Sequence, residues 1–171
     1  MEPMAQRFEP VLKTLNDAGV RYLVVGGVAV VLHGHLRTTG DLDLVVELSP
    51  TNLDRALDAL EGSGFQPRPP VPLRSFADPE TRRSWVKEKN LRVFSLWHPD
   101  FPGFEVDLFV EEPFDFDEVW RRRVEVELEG STTFIVALDD LVALKKASGR
   151  AQDLEDIEAL QELARGVAGD D

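Results

Sequence analysis

Leu23-Val24-Val25-Gly26-Gly27-Val28-Ala29-Val30-Val31-Leu32-His33-Gly34-His35-Leu36-Arg37-Thr38-Thr39-Gly40-Asp41-Leu42-Asp43-Leu44-Val45-Val46-Glu47 reads as a strand, a double-glycine turn, a short helix and a second strand. Leu23 to Val25 is a short apolar, largely β-branched run of the kind that forms a buried strand. Gly26-Gly27 ends it with residues that let a backbone turn sharply and approach a ligand closely. A helix starting at or just after Gly27 directs unpaired amides and its positive dipole end at the same place, which suits a phosphate.

The second half of the stretch carries acids. In Asp41-Leu42-Asp43-Leu44 the alternation of a strand puts Asp41 and Asp43 on one face, about 6.5 to 7 Å apart along the chain. Two carboxylates so placed repel each other unless a cation sits between them. Mg²⁺ suits that role, since it takes one or two protein carboxylates and completes its shell with phosphate oxygens and water. The residues therefore outline a phosphoryl-transfer site.

The composition bounds the rest. At 171 residues, with 43% hydrophobic and 30% charged, the chain predicts one globular domain with a substantial core. No apolar run approaches the roughly 20 residues of a membrane span. The opening Met1-Glu2-Pro3-Met4 lacks the basic and apolar pattern of a signal, so a cytoplasmic location is expected. With no cysteine, disulfides, thiol nucleophiles and thiolate zinc sites are excluded. A net charge of −13 argues against broad DNA binding, which depends on neutralising phosphates. The acidic stretches around Glu111 to Glu118 and Asp153 to Glu162 read as solvated faces.

Outward from the central stretch, Phe8, Val11, Leu12 and Leu15 mark a first helix over Met4 to Ala18 that ends near Gly19. Ser49-Pro50 caps another, with Leu53, Ala56, Leu57 and Leu60 as its buried stripe. The proline-rich segment Phe65 to Pro72 predicts a loop, and Asp78 to Glu88 a short helix with Arg82, Arg83, Lys87 and Lys89 as the most basic local cluster, either a solvent-facing helix with salt bridges or a contact for a phosphate-bearing substrate. Leu91 to Trp97 and Phe104 to Val110 are strands joined by a turn, the second with Glu105, Asp107 and Phe109 on its polar face. A small hairpin spans Glu125 to Val136 about Gly130-Ser131, and Asp139 caps a final helical region. There Lys145 falls beside the apolar stripe of Leu141 and Leu144. A lysine so placed needs an anionic partner, either the carboxylate cluster or a bound triphosphate. His33, His35 and His98 show no metal-ligand spacing, and Trp85, Trp97 and Trp120 read as core or interface anchors.

Val25-Gly26-Gly27 followed by Arg37-Thr38-Thr39-Gly40-Asp41-Leu42-Asp43 resembles the signature of the DNA polymerase beta nucleotidyltransferase superfamily. Ala29 after the glycines and the Arg-x-Thr lead-in are similar to the minimal branch that includes AbiEii-type toxins of type IV toxin–antitoxin systems. The segment Leu141 to Arg150 followed by Asp153 and Asp156 resembles that branch too, with Gln152 as a departure where relatives carry Lys. The resemblance implies an α/β (α+β) nucleotidyltransferase fold, with a short, mixed, twisted sheet flanked by helices. Residues 1–137 would form the catalytic core, and a C-terminal helix pair within 138–171 would close the cleft of one compact domain. It implies Asp41, Asp43 and Asp107 as catalytic and metal-binding residues, with Glu105 as the rival for the third acid. Gly26, Gly27, Arg37, Thr39 and Lys145 would bind the nucleotide. The implied cofactor is Mg²⁺, as one ion or two. The implied activity moves a nucleoside monophosphate from an NTP to a hydroxyl of RNA (tRNA included), protein or a small molecule, and as a toxin it would have an antitoxin partner. The alternative is an inactive nucleotide-binding or regulatory protein on the same fold.

Overall fold

The computed structural model describes residues 4–169, with side-chain surroundings for 7–166. Its elements run α1 (Met4–Asp17), β1 (Tyr22–Val25), α2 (Gly26–Leu32), β2 (Asp41–Val46), α3 (Pro50–Gly62), β3 (Gln66–Pro67), a 3-10 turn (Leu73–Ala77) and α4 (Pro79–Lys89). They continue as β4 (Val93–Trp97), β5 (Glu105–Phe109), α5 (Phe116–Arg121), β6 (Val124–Glu127), β7 (Thr132–Ile135), α6 (Leu138–Ser148) and α7 (Ala151–Gly169). The strands form one mixed sheet in the order β3-β4-β5-β2-β1-β7-β6. β2 pairs antiparallel with β1 and parallel with β5, so the central stretch supplies two adjacent strands near the middle of the sheet.

Register assigns the two faces. Residues opposed across a rung share a face, which groups Tyr22, Val24, Leu42, Leu44, Val106, Leu108, Phe94 and Ile135 together, all buried. Phe8 of α1 meets Phe104 on this side at 5.2 Å between ring centres, and Trp85 of α4 stacks on Phe94 at 5.1 Å. The stripes predicted for α1 and α3 are the ones buried, and each fully buried leucine contributes about 2 kcal/mol by removal from water. The opposite face carries Asp41, Asp43, Glu105, Asp107 and Phe109, and α6 lies over part of it. Helices thus flank the mixed sheet, as expected.

Several local expectations shift. Gln66–Pro67 joins the sheet as a short edge strand instead of staying in a loop, because the following Arg68 and Pro67 lie against β4. A proline is tolerated there since an edge strand leaves one side unpaired. Arg82 is buried, donating to the Phe76 carbonyl and lying over its ring, so α4 is not simply a solvated helix. Ser49 stands at the cap position of α3 without a side-chain bond, and α6 starts at Leu138, leaving Asp139 in its first turn, where a carboxylate meets the helix dipole. Among the described residues no helix is long and apolar enough to cross a membrane.

Candidate active site

The β2–β5 ladder brings Asp43 opposite Asp107, and Asp41 opposite Glu105. Asp107, two residues on from Glu105, is therefore the acid beside Asp43, and Glu105 is drawn away by Arg68 at 2.6 Å. Burial pushes the Asp43 carboxyl up to about 7, with the negative charges of Asp107 and Asp41 adding to the rise and Lys145 opposing it. Burial also raises Asp107, against a hydrogen bond with Ser95, and Asp41 is raised by burial and by Asp107 and Glu105. Oδ1 of Asp107 is buried with no hydrogen-bond partner. A facing pair of this kind shares a proton or takes up a cation.

Gly26 follows β1 directly, with φ at +68°, a conformation that favours glycine. A Cβ at this position would strike the Asp43 carboxylate, so the glycine allows β1 to turn into α2 against the acid. Gly27 answers to other neighbours. A Cβ there would lie 2.6 Å from Thr39 Oγ1 and 2.9 Å from Arg37 Nη2. The loop before β2 thus packs on Gly27, and of the predicted nucleotide-binding residues only Gly26 and Lys145 line the cleft that contains Asp43 and Asp107.

That cleft has a volume of about 520 Å³, its floor formed by the acidic face of the sheet and its wall by Leu141, Leu144 and Lys145 of α6. Lys145 Nζ is 3.0 Å from Asp156 and 3.3 Å from Asp153, and Arg37 Nη2 donates to Asp156 at 3.0 Å. Both aspartates are buried. Burial alone would raise Asp153, but hydrogen bonds from Arg150, Ser148 and Lys145 outweigh it and hold the carboxyl at about 2. Lys145 therefore finds its anionic partners on α7, in acids whose segment the composition assigns to a solvated face. The i, i+3 spacing of Asp153 and Asp156, in step with the buried Ile157 and Leu160, is the signal that marks them as inward. An ammonium has three donors, so one remains for the cleft.

Among the described residues, no three carboxylate or imidazole side chains converge as a ready-made metal cage. The strand register supplies a pair, Asp43 and Asp107, with Asp41 one pleat away on the same face. The unpartnered Asp107 oxygen and the raised carboxyls are the donor set that a hard divalent cation fits. His33 bonds the Val136 carbonyl at 2.8 Å, and His98 sits between Ser63 O and the Asp100 amide, so both are structural.

A central mixed sheet with a glycine turn pressed against a strand-borne acid pair defines a nucleotidyltransferase fold. Residues 4–165 match the family described as "Nucleotidyltransferase of unknown function (DUF6036)", and the chain belongs to it. Among solved structures it is similar to the lincosamide antibiotic adenylyltransferase LnuA with lincomycin bound. That likeness has a TM-score of 0.62 at 15% identity and covers 95% of this chain and 99% of that one. It is also similar to an antigenic nucleotidyltransferase-like protein from Paracoccidioides brasiliensis, with a TM-score of 0.56 at 18% identity, over 92% and 75% of the two chains. At these identities the likeness carries the fold alone. A search of curated proteins yields no match.

Proposed function

We propose that this nucleotidyltransferase moves a nucleoside monophosphate from an NTP to a hydroxyl, with Mg²⁺ as cofactor. The observation that carries this is the Asp43–Asp107 pair facing across one rung, both raised by burial and Asp43 further by the charge of Asp107, beside the glycine that ends β1. Asp43 and Asp107, with Asp41, would hold the cation, which supplies charge neutralisation for the phosphates when bound. The phosphates would lie toward Gly26, where the free donor of Lys145 meets them. Gly27, Arg37 and Thr39 would act by holding the loop that presents Asp41. The Asp107 carboxylate accepts the proton of the attacking hydroxyl, and α6 with the start of α7 would cover the cleft against water.

The test is release of pyrophosphate from each labelled NTP with a mixed acceptor extract, with and without Mg²⁺. Asp107→Asn should keep most of the NTP affinity and lower transfer by roughly 10² or more, the scale of a lost general base. Transfer at the wild-type rate would remove Asp107 from the role. NTP binding without transfer under any condition would instead establish the inactive, regulatory alternative.

The segment from Leu141 to Asp156 supports a second reading, because the residues carrying its resemblance to AbiEii-type toxins, Lys145, Asp153 and Asp156, are the ones joined in the buried network. In that reading the acceptor is tRNA or a protein, and an antitoxin partner opposes the activity. Induced expression that arrests growth in the wild type but not in Asp43→Ala would support it; unaffected growth would dismiss it.

A further inference from the structure

The cleft floor runs in strand order from Gly26 at the end of β1, through Asp43 on β2 and Asp107 on β5, to Val93 on β4. Phe109 projects from the same face as Asp107, two residues on, and is opposed by Val93. Its ring is half-buried and enters none of the aromatic pairs among the described residues. Arg92 borders the same end of the cleft, exposed, and among the described residues no carboxylate is within ion-pair distance of it. The other two cations of the lining are committed, Lys145 to Asp153 and Asp156, and Arg150 to Asp153. One flat apolar surface and one uncommitted cation therefore line the same cleft as Asp107, unused by the transfer chemistry.

We propose that Phe109 and Arg92 form the acceptor subsite, and that the acceptor is a small hydroxyl compound with a flat apolar face and a single anionic group. This rests on the transfer reading above. Phosphoryl-type displacement runs with attacking and leaving oxygens in line. With pyrophosphate departing toward Gly26, the hydroxyl approaches from the side of Asp107 that Phe109 and Arg92 occupy. The acceptor oxygen bonds to the α-phosphorus, the electron pair of the α–β bridge leaves with pyrophosphate, and the hydroxyl proton passes to Asp107. A ring laid on Phe109 with its anion at Arg92 holds the hydroxyl between the two and beside that carboxylate. A nucleic acid suits the subsite badly, because with the remaining donor of Lys145 taken by the NTP its further phosphates would find no free cation in the cleft of a chain with a net charge of −13.

The probe is 1-naphthyl phosphate, titrated calorimetrically into protein already holding a non-hydrolysable NTP analogue and Mg²⁺, with 1-naphthol and inorganic phosphate as comparators. The wild type should bind the probe more tightly than either comparator. Phe109→Leu, which keeps apolar volume but loses the flat ring, and Arg92→Gln should each weaken the probe by roughly tenfold. Arg92→Lys should restore most of the loss, with the analogue's affinity unchanged throughout. Variants that weaken the analogue instead would show that the platform holds the nucleobase, and variants that change neither would show that it holds nothing; each overturns the inference. A wild type that fails to bind the analogue at all would count against the transfer reading itself.

Discussion

Asp43 experiences burial and two neighbouring carboxylates at once, and the consequence is a measurable pH dependence. Its folded-state carboxyl lies at about 7, above the ordinary value of 3.8. Between those values the folded protein holds a proton that the unfolded chain has released. Stability is therefore fully present below about pH 4 and is lost as pH rises through 7, by on the order of 2 kcal/mol after allowing for water in the cleft. Asp153 works in the opposite sense, since its carboxyl is held at about 2 and its contribution is lost as pH falls below the ordinary range. The metal-free protein should be most stable in mildly acid solution. Denaturant melts at pH 5 and pH 8 should show the wild type losing stability and Asp43→Asn losing clearly less, with Asp107 and Asp41 leaving a smaller slope; identical slopes would place the titrating group elsewhere. Mg²⁺ should reverse the loss at pH 8 and, below pH 7 where Asp43 is still protonated, release a proton on binding.

The unit β1–α2–β2 depends on two glycines for different reasons. Gly26 adopts a positive φ and leaves room for the Asp43 side chain, whereas Gly27 leaves room for Thr39 and Arg37. Gly26→Ala combines backbone strain of about 1 kcal/mol with a collision at the acid, and should reduce both folding stability and NTP binding. Gly27→Val should lower stability by about 1–3 kcal/mol through overpacking, as it pushes the loop carrying Arg37 off the helix. Circular dichroism melts of both variants test this. A Gly27→Val protein with wild-type stability and impaired NTP affinity would identify Gly27 as a direct phosphate contact.

Across the whole molecule, α7 is tied to the rest through buried ions. Asp156 accepts from Lys145 of α6 and from Arg37 of the loop before β2, so one carboxylate joins the C-terminal helix to the loop that precedes the acid pair. Removing one member strands a buried charge. Lys145→Ala should cost on the order of 3–5 kcal/mol, and Asp156→Asn rather less because the amide keeps its shape. In the double variant Lys145→Ala with Asp156→Asn, the cost should be smaller than the sum of the single changes, since the second change removes a charge that the first has already left without this partner. Additive losses in that cycle would show that the two residues do not act as a pair. Hydrogen exchange should locate the loosening in α7 and in the loop from Gly34 to Gly40.

How much of this was legible in the sequence follows from the range of the interactions. Strand alternation and glycine conformation are local, and they determined the β1–α2–β2 unit, the shared face of Asp41 and Asp43, the apolar stripes of α1 and α3, and the outward Asp107 of β5. The order of the strands is not local. Only the tertiary structure set β5 beside β2 in a register that opposes Asp107 to Asp43, and only there does burial raise both acids. The same holds for Lys145, whose inward position was readable from helical spacing. Its partners, Asp153 and Asp156, lie beyond a helix turn at Gly149, and their burial depends on how α7 folds back. The roles of Gly27, Arg37, Arg92 and Phe109 likewise come from neighbours brought close by the fold, because a side chain's contacts depend on distances between elements that no local periodicity encodes.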